Sequence, residues 1–323
     1  MAIKVGFIGC GSINTAHMVN IAANPDADIV AVCDIDQERA DKAAAEYEAE
    51  AFTVYESMIG EAELDAVYVA VPPFAHEQQE AMAAEAGLHL FVEKPVALDM
   101  DIARANEEAI KKAGIIATAG FQDRYLDVMA RMKQVLAANQ PGLMMGYWMG
   151  GTPLVWWWRV KAKSGGQAVE QTIHIFDAAR YLFGEIASVH AAGSRGLMAE
   201  LDNYDIEDAS AVNLQFASGL CGTIFSSCFA AANNKSGIDV WCKEVSLKYS
   251  ERRSLNIIHG NGDAEFMTVK VDPLAEIDNT FIAAVAKNDQ SLLKSDYSDA
   301  VKTLEVVLAA NESMASGEAV KLG

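Results

Sequence analysis

The chain lacks any apolar run that approaches the roughly eighteen residues needed to cross a bilayer, although 51% of its 323 residues are hydrophobic. It is also poor in basic residues, with 25 Lys and Arg against 45 Asp and Glu and a formal net charge of −20. Nucleic acids and anionic membranes recruit basic patches. We therefore expect no nucleic acid and no membrane among its partners.

Cysteine is scarce, and no two cysteines form a CxxC pair. The chain has five, Cys10, Cys33, Cys221, Cys228 and Cys242. An odd number without redox or metal spacing favours reduced thiols, so we expect a cytoplasmic protein. No basic segment or small-residue cleavage site stands before the first strand, which predicts no export signal. The scattered histidines and carboxylates show no metal-ligand spacing either, so we expect no metal.

Strands and helices alternate over the first 120 residues. The predicted strands are Ile3–Gly9, Asp28–Asp34, Phe52–Val54, Ala66–Val71, His89–Glu93 and Ile115–Gly120. The predicted helices between them are Asn14–Asn24, Gln37–Tyr47, Ala75–Ala86 and Asp99–Lys112. Such alternation with short loops is typical of a parallel sheet with right-handed crossovers. Residues 1–120 are therefore predicted to form an α/β Rossmann domain.

A glycine turn joins the first strand to the first helix. It matches two of the three glycines of the dinucleotide-binding fingerprint, with Asn14 in place of the third. Gly9 allows the tight turn, and Gly11 lets backbone N–H groups reach a pyrophosphate at the helix N-terminus. Asn14 is expected to push that helix slightly away from the strand. The candidate cofactor contacts here are Gly9, Cys10, Gly11, Ser12 and Ile13.

An acidic residue, Asp34, ends the second strand. Its carboxylate is well placed to accept hydrogen bonds from a ribose diol, and its charge would repel a 2′-phosphate. Ile35 offers no neighbouring cation to offset that repulsion, so NAD is favoured over NADP. The alternative is that Asp34 merely caps the helix that follows, a role that Asp36 could fill instead.

The tripeptide Glu93-Lys94-Pro95 ends the apolar run before it and aims an ammonium group off the carboxyl edge of the sheet. In open α/β folds that edge binds ligands. Together with the glycine turn it predicts a dinucleotide beside a positioned lysine. Further candidate cofactor contacts are Val71, Pro72, His76, Glu93, Lys94 and Gln122. For His76, a helix-start cap is an equally good interpretation.

Residues 121–323 have a different pattern, in which short strands alternate apolar and polar side chains between glycine turns. The predicted strands are Ser188–Gly193, Ala209–Phe216, Leu220–Cys228, Val245–Tyr249 and Glu265–Val271. They indicate an α+β domain with an open-faced, mostly antiparallel sheet covered by helices on one side. The apolar open face predicts a homodimer or homotetramer. The last helix, 297–316, could pack back on the first domain.

The chemical centre of this half follows Gly165-Gly166, a pair expected to permit close approach of a ligand. Glu170 and His174 lie four apart in an apparent helix and so share one face. A carboxylate one turn from an imidazole can orient it and raise its basicity, as a general base requires. The alternative is a Glu–His pair on a solvated helix face. Asp177 adds a carboxylate one turn further on.

The stretch Trp156-Trp157-Trp158-Arg159 is rich in aromatic surface. Aromatic faces suit the C–H faces of a sugar, and an arginine fork suits hydroxyls, a carboxylate or phosphate. Trp157 and Arg159 are therefore candidate substrate contacts, together with Lys94, Glu170 and His174. The alternative is that two of the three tryptophans lie in the core or in a subunit contact.

These motifs in combination resemble the glucose–fructose oxidoreductase/inositol dehydrogenase/rhizopine catabolism family over essentially the whole chain. The resemblance implies a Rossmann domain plus an open-faced domain, NAD(P), and oxidation or reduction of sugars and cyclitols. It further implies a catalytic lysine and histidine, which fall on Lys94 and His174. Glu170 stands where inositol-type members have an aspartate.

The leading hypothesis is an NAD-dependent dehydrogenase that transfers hydride between a sugar or cyclitol hydroxyl and the nicotinamide. In it His174 moves the hydroxyl proton, assisted by Lys94 and Glu170. Two alternatives stay open. One is a glycosidase or lyase that oxidises a ring hydroxyl transiently and recycles bound NAD. The other is a non-enzymatic regulator that senses the nucleotide on the same fold.

Overall fold

The computed structural model describes residues 2–323, which form two compact units. The first comprises the chain up to Gln122 together with Asp272–Val301. The second comprises Asp123–Val271 and Lys302–Gly323. Each unit is built around its own sheet.

The elements up to Gln122 alternate between strand and helix as predicted, with one further helix, Tyr55–Glu61, that was not predicted. They are β1 (Ile3–Ile8), α1 (Ser12–Ala22), β2 (Ala27–Cys33), α2 (Gln37–Tyr47), β3 (Glu50–Phe52), α3 (Tyr55–Glu61), β4 (Ala66–Val69), α4 (Gln79–Glu85), β5 (His89–Val92), α5 (Met100–Ala113) and β6 (Ala117–Ala119). The helix predicted over Ala75–Ala86 begins later than expected, because Pro73–Ala75 forms a separate 3₁₀ turn.

The remaining elements are helices and longer strands. They are α6 (Asp127–Ala138), β7 (Pro141–Met149), α7 (Lys161–Ser164), α8 (Gln167–Glu170), α9 (Ile173–Phe183), β8 (Ile186–Ser194), β9 (Ala209–Phe216), β10 (Cys221–Ser227), β11 (Lys235–Cys242), β12 (Val245–Ser250), β13 (Ser254–His259), β14 (Ala264–Thr268), α10 (Pro273–Lys287), α11 (Tyr297–Ser316) and β15 (Val320–Lys321).

The first sheet is parallel throughout, with strand order β3-β2-β1-β4-β5-β6. This is the doubly wound Rossmann order, so the predicted fold class is confirmed. The order reverses between β1 and β4, and the carboxyl ends of those strands therefore flank the crevice where such sheets bind dinucleotides. The β4 sequence Ala-Val-Tyr-Val is buried at every position, as a strand covered on both faces requires.

An aromatic ladder crosses the middle of this sheet. Tyr68 on β4 stacks between Phe7 on β1, at 4.8 Å between centroids, and Phe91 on β5, at 4.5 Å. Phe281 meets Tyr68 and Phe91 edge-on. Each such pair adds about 0.5–1.5 kcal/mol beyond the burial of its area. The ladder thus fixes β1, β4 and β5 against one another beneath their carboxyl ends.

The helix α10 belongs to this first unit, whereas the sequence assigned all of 121–323 to the second domain. It packs against α1 and β1 and supplies Phe281 to the aromatic ladder. Asp272 caps α10 by accepting hydrogen bonds from the N–H groups of Leu274 and Ala275. The division between the units falls inside α11, whose residues up to Val301 group with the first unit.

The second unit contains a nine-stranded sheet of order β14-β13-β12-β11-β7-β10-β9-β8-β15. Every neighbouring pair is antiparallel except β7 and β10, which run parallel. The helix α9 packs on β7 and β11 and covers one face. The predicted open-faced, mostly antiparallel sheet is confirmed. The strands β11, β13 and β15 were not predicted from the sequence.

Candidate active site

The glycine turn after β1 leaves room where a pyrophosphate would approach. Gly9 has φ +91°, and a Cβ there would overlap the carbonyl oxygen of Ala70. Gly11 precedes α1 in an extended conformation, and a Cβ there would meet no described atom within 4 Å. Gly9 is therefore required by the turn itself, whereas the space at Gly11 lies open at the N-terminus of an eleven-residue helix.

Asn14, in place of the third glycine, holds the turn together. Its buried side-chain amide donates to the carbonyl oxygens of Ile8, at 3.0 Å, and Gly9, at 2.6 Å. The sequence led us to expect that Asn14 would push α1 away from β1. The structure shows two hydrogen bonds that tie α1 to the end of β1. The expected displacement of the helix stays a prediction.

Asp34 is buried at the carboxyl end of β2, with 8% of its surface exposed. Its carboxylate accepts from the N–H groups of Cys10 and Asp36, at 2.8 and 2.9 Å. Asp36, not Asp34, caps α2. The guanidinium of Arg39 lies 3.0 Å from Asp34. The expectation that no cation stands beside Asp34 was wrong, because the first turn of α2 brings Arg39 back over the strand end.

The chain that follows β4 carries a buried histidine. The imidazole Nδ1 of His76 lies 2.6 Å from a carboxylate oxygen of Glu80, and Asn106 donates to the other oxygen at 3.3 Å. The Nε2 atom of His76 is buried and has no hydrogen-bond partner among the described residues. Val71 and Pro72, just before it, are half-buried. The imidazole is thus held by one nitrogen, and the other can accept or donate a hydrogen bond to a ligand.

The Glu93-Lys94-Pro95 turn follows β5 at the carboxyl edge. The Lys94–Pro95 peptide bond is cis. The Lys94 N–H donates to an oxygen of the buried Glu93 carboxylate at 3.1 Å. A Cβ on Gly120, the residue after β6, would overlap that carboxylate. Gln122 lies half-buried two residues further along.

The Glu170–His174 pair does not lie on one continuous helix, so that prediction was wrong. Glu170 ends α8, Gln171 and Thr172 interrupt the helix, and His174 is the second residue of α9. Both side chains are buried, each with 7% of its surface exposed. A solvated helix face is therefore excluded for both, whereas the contact expected from a spacing of four is not established.

Trp148 contacts the candidate site residue His174, and the sequence did not single it out. Its ring stacks on the His174 imidazole, with 6.0 Å between centroids and 27° between planes. Trp148 lies near the end of β7, a strand on which α9 packs. The only signal in the sequence was an aromatic residue at the end of a strand. The indole gives the imidazole a flat, apolar support.

Asp177 is not available as a further acid or base. Arg124 binds it through two nitrogens, at 2.8 and 2.5 Å, and Thr303 donates to it at 3.1 Å. All of these groups are buried. Bidentate pairing with a guanidinium stabilises the ionised carboxylate. The Arg124 guanidinium is thus part of a buried ion pair with Asp177.

The Gly165-Gly166 turn is shaped by the protein itself. Both glycines have positive φ, +74° and +87°. A Cβ on Gly165 would press on Val169, and one on Gly166 would lie 2.8 Å from the ammonium of Lys161. Lys161 is in turn bound to Glu207 at 2.6 Å. Internal packing therefore accounts for the glycines without a ligand.

The aromatic stretch forms a 3₁₀ turn, Trp156–Arg159, in which no residue is fully buried. Trp156 is 60% exposed. The rings of Trp157 and Trp158 stack at 6.2 Å. The Arg159 guanidinium donates through Nε to the carbonyl oxygen of Pro153 at 2.7 Å. Within this chain none of the three tryptophans belongs to a closed core.

The fold and these residues define a dinucleotide-binding oxidoreductase. The model of an oxidoreductase family with an NAD-binding Rossmann fold, GFO_IDH_MocA, matches residues 3–121. The GFO/IDH/MocA C-terminal domain matches residues 140–248. The chain therefore belongs to the glucose–fructose oxidoreductase/inositol dehydrogenase/rhizopine catabolism family. The predictions of this family, of an NAD-dependent dehydrogenase and of NAD as cofactor are confirmed.

Relatives named as inositol dehydrogenases match along nearly the full chain. A scyllo-inositol 2-dehydrogenase (NAD⁺) of Bacillus subtilis is 27% identical, over 99% of this chain and 96% of its own length. A myo-inositol 2-dehydrogenase of Thermotoga maritima is 28% identical, over 99% and 98%. The structure of a levoglucosan dehydrogenase in complex with NADH and L-sorbose superposes with a TM-score of 0.88 at 22% identity, covering 100% of both chains.

The residues of the first unit fit NAD. The open space at Gly11 suits a pyrophosphate, and the buried Nε2 atom of His76 has no hydrogen-bond partner within residues 2–323. Among residues 2–323 there is no helix long and apolar enough to cross a membrane. The same residues contain no cluster of three or more His, Cys, Asp or Glu side chains that could hold a metal ion.

Proposed function

We propose that this chain is an NAD-dependent dehydrogenase that oxidises a secondary hydroxyl of a sugar or cyclitol, or reduces the corresponding ketone. The observation that carries the proposal is Lys94, placed at the carboxyl edge of the NAD-binding sheet by the buried Glu93 carboxylate. Relatives named for inositol oxidation match nearly the full chain. That match supports a polyhydroxylated ring as substrate.

The first unit would hold the cofactor. The N-terminus of α1 and the turn Gly9–Ile13 would receive the pyrophosphate, and Asp34 the adenosine ribose. Val71, Pro72, His76, Glu93 and Gln122 are proposed to line the rest of the cofactor site. NAD supplies a hydride acceptor when it is bound. NADP is the weaker candidate, because Asp34 would repel a 2′-phosphate.

Proton transfer would be carried out by the chain's own side chains. We assign to His174 the removal of the hydroxyl proton as hydride leaves the carbinol carbon. Lys94 would stabilise the negative charge that develops on the substrate oxygen. Trp148, whose ring stacks on the imidazole at 6.0 Å, is proposed to limit the rotation of the His174 ring. Glu170, the last residue of α8, is proposed to orient His174.

The second unit would select the substrate. Trp157 and Arg159 are proposed to contact the ring face and the hydroxyls that do not react. The hydrogen bond from Arg159 to Pro153 fixes the approach of the guanidinium. We propose that the stretch Trp156–Arg159 decides which sugar or cyclitol is bound, because its run of three tryptophans and an arginine is the most distinctive in the sequence.

The open sheet face supports self-association. Leu143, Trp241 and Ile258 are 46%, 43% and 48% exposed. The strand register places them on one face, together with Phe266 at 65%. We propose a homodimer or homotetramer through this face. All five cysteines are unpaired, which supports a cytoplasmic location.

A screen of sugars and inositols with NAD, read at the nicotinamide absorbance, tests the function. Lys94→Met and His174→Asn should each lower kcat on the order of 10²–10⁴-fold. Lys111→Met, an exposed lysine of the first unit, and His190→Asn, an exposed histidine of the second, should turn over normally. Near wild-type turnover by Lys94→Met or His174→Asn would refute the assigned roles.

The same screen separates the rival enzyme class. Release of a cleaved product without net NADH would indicate a glycosidase or lyase that recycles its cofactor. Binding of NADH with no turnover of any polyol would favour a nucleotide-sensing regulator.

A further inference from the structure

The most unusual group in the first unit is a histidine held between two carboxylates. His17, on α1, is fully buried. Its Nδ1 lies 2.7 Å from Asp278 of α10, and its Nε2 lies 3.2 Å from Glu93. Neither ring nitrogen meets solvent. The three groups come from α1, α10 and the end of β5 and form one buried chain of hydrogen bonds.

Asp278 lies at the end of this series of hydrogen bonds that is farther from Lys94. It is fully buried on α10, and it accepts further hydrogen bonds from Asn20 at 2.8 Å and from the Tyr68 hydroxyl at 3.2 Å. Phe91 packs edge-on against the imidazole at 4.8 Å. The ring of His17 is therefore fixed on every side, and it can present its second N–H only to Glu93.

Glu93 connects the hydrogen bonds of His17 and Asp278 to Lys94. One of its oxygens faces His17, and the other accepts the Lys94 N–H at 3.1 Å. The carboxylate occupies the space left by the missing Cβ of Gly120. Both oxygens are thus used inside the protein, one on the buried histidine and one on the main chain of the proposed catalytic lysine.

The charges of the cluster favour a protonated imidazole. Burial opposes the charge on His17, but hydrogen bonds with Asp278 and Glu93 outweigh it and raise its pKa to about 9. Burial raises the pKa of Asp278, and its hydrogen bond to His17 opposes that rise. The ionisable groups that face the ring are Asp278, Glu93 and the Tyr68 phenol, whose pKa burial raises well above 10.0. Near neutral pH the ring therefore donates from both nitrogens, which keeps Glu93 an acceptor.

We infer that His17 is a positioning residue, which fixes the Glu93 carboxylate and thereby the main chain from which the Lys94 ammonium projects. The inference rests on the proposed role of Lys94. Without the N–H of His17, one oxygen of Glu93 would be buried without a donor, which is costly for a carboxylate. The carboxylate would then turn and hold the Lys94 N–H less firmly. A misplacement of about 1 Å at a reacting group can cost about 10²-fold in rate.

A double-mutant cycle tests whether His17 acts through Lys94. We expect His17→Gln to lower kcat about tenfold to a hundredfold, while the Kd for NADH, measured by fluorescence titration, changes less than about threefold. In the Lys94→Met background the same substitution should lower the residual rate by less than about twofold, because the lysine it positions is gone. His89→Gln, at the opposite end of β5, is the matched control and should leave kcat unchanged.

The outcomes separate the two claims. Turnover that survives Lys94→Met overturns the proposed function. A large loss in Lys94→Met, followed by a further full loss when His17→Gln is added, leaves the function standing and overturns the inference. Equal losses in kcat and in NADH affinity from His17→Gln also overturn it, because they indicate a general structural defect.

A second variant covers the case in which His17→Gln does not fold. Glu93→Gln keeps the shape and an acceptor for the Lys94 N–H, but its amide group can face His17 only when the imidazole is neutral. Histidine ¹⁵N spectra of the cofactor-free protein should show that His17 loses its proton at lower pH in Glu93→Gln than in wild type. In the same variant kcat should fall about tenfold. An unchanged titration or an unchanged kcat contradicts the inference.

Discussion

The Arg39 guanidinium lies 3.0 Å from the Asp34 carboxylate at the position where the adenosine ribose is proposed to bind. The two side chains differ in exposure, because Asp34 is buried while the Arg39 side chain is 52% exposed. The Asp34 carboxylate would repel the 2′-phosphate of NADP, whereas the neighbouring Arg39 guanidinium could bind that phosphate. Cofactor choice therefore depends on which member of the pair faces the ribose.

This relationship predicts the effect of Asp34→Ser. NADH binding should weaken about tenfold to a hundredfold, since hydrogen bonds to a charged group are worth about 1.5–3 kcal/mol. NADPH binding should strengthen, because Arg39 is released to bind the phosphate. Fluorescence titration with both cofactors measures the change. The double variant Asp34→Ser with Arg39→Ala should lose the gain for NADPH, and a gain that persists would assign it to another group.

The buried His17 predicts a specific dependence of stability on pH. Its folded pKa of about 9 lies above the ordinary 6.5, so its contribution is fully present below pH 6.5 and is lost as the pH rises through about 9. That contribution is on the order of 3 kcal/mol, at about 1.4 kcal/mol for each pKa unit. Urea unfolding of wild type and His17→Gln should show a difference that shrinks as the pH rises through this window. A constant difference would mean that the ring is neutral in the fold.

The close packing of the Glu93 carboxylate against Gly120 can be tested by replacing two glycines with alanine, one at this contact and one in open space. Gly120→Ala would push its Cβ into the Glu93 carboxylate, so we expect a loss of about 1–3 kcal/mol in stability and a lower kcat. Gly60→Ala, in α3, meets open space and should stabilise the fold by about 0.4–1 kcal/mol with kcat unchanged. Thermal melts and turnover of both variants provide the measurement. Normal turnover in Gly120→Ala would show that Glu93 can move without consequence.

The stack of Trp148 on His174 predicts a graded response. Trp148→Leu removes the flat support of the imidazole and should lower kcat/KM about tenfold, whereas Trp148→Phe, which keeps an aromatic face, should retain most of it. Steady-state kinetics of the three proteins provides the measurement. Equal activity in Trp148→Leu and wild type would show that the stack is only packing.

Much of the first unit could be predicted because its signals are local. The periodicity of β1, β2, β4 and β5 and the turn residues between them are readable from adjacent positions. Asp36 as the cap of α2 and Gly9 as the tight turn follow from the same kind of evidence. The helix α10 had a comparable signal in Asp272-Pro273, an acidic cap followed by a proline in the first turn, which was overlooked.

The parts that escaped prediction depend on contacts distant in sequence or on backbone detail. Asp278 is 261 residues from His17, and no spacing rule pairs them. The break between α8 and α9 gives no pattern in the sequence, so Glu170 and His174 were placed on one helix. Arg39 returns to Asp34 only once α2 has formed.

The discontinuous first unit has a consequence for biosynthesis. While the chain is being made, β1 to β6 emerge from the ribosome long before α10, which ends at Lys287. Until then His17 lacks its hydrogen-bond partner Asp278. The stacked rings of Tyr68 and Phe91 also lack their edge-on contact with Phe281. The first unit therefore cannot complete its fold as its strands are synthesised. Its folding is completed only after almost all strands of the second sheet have been translated.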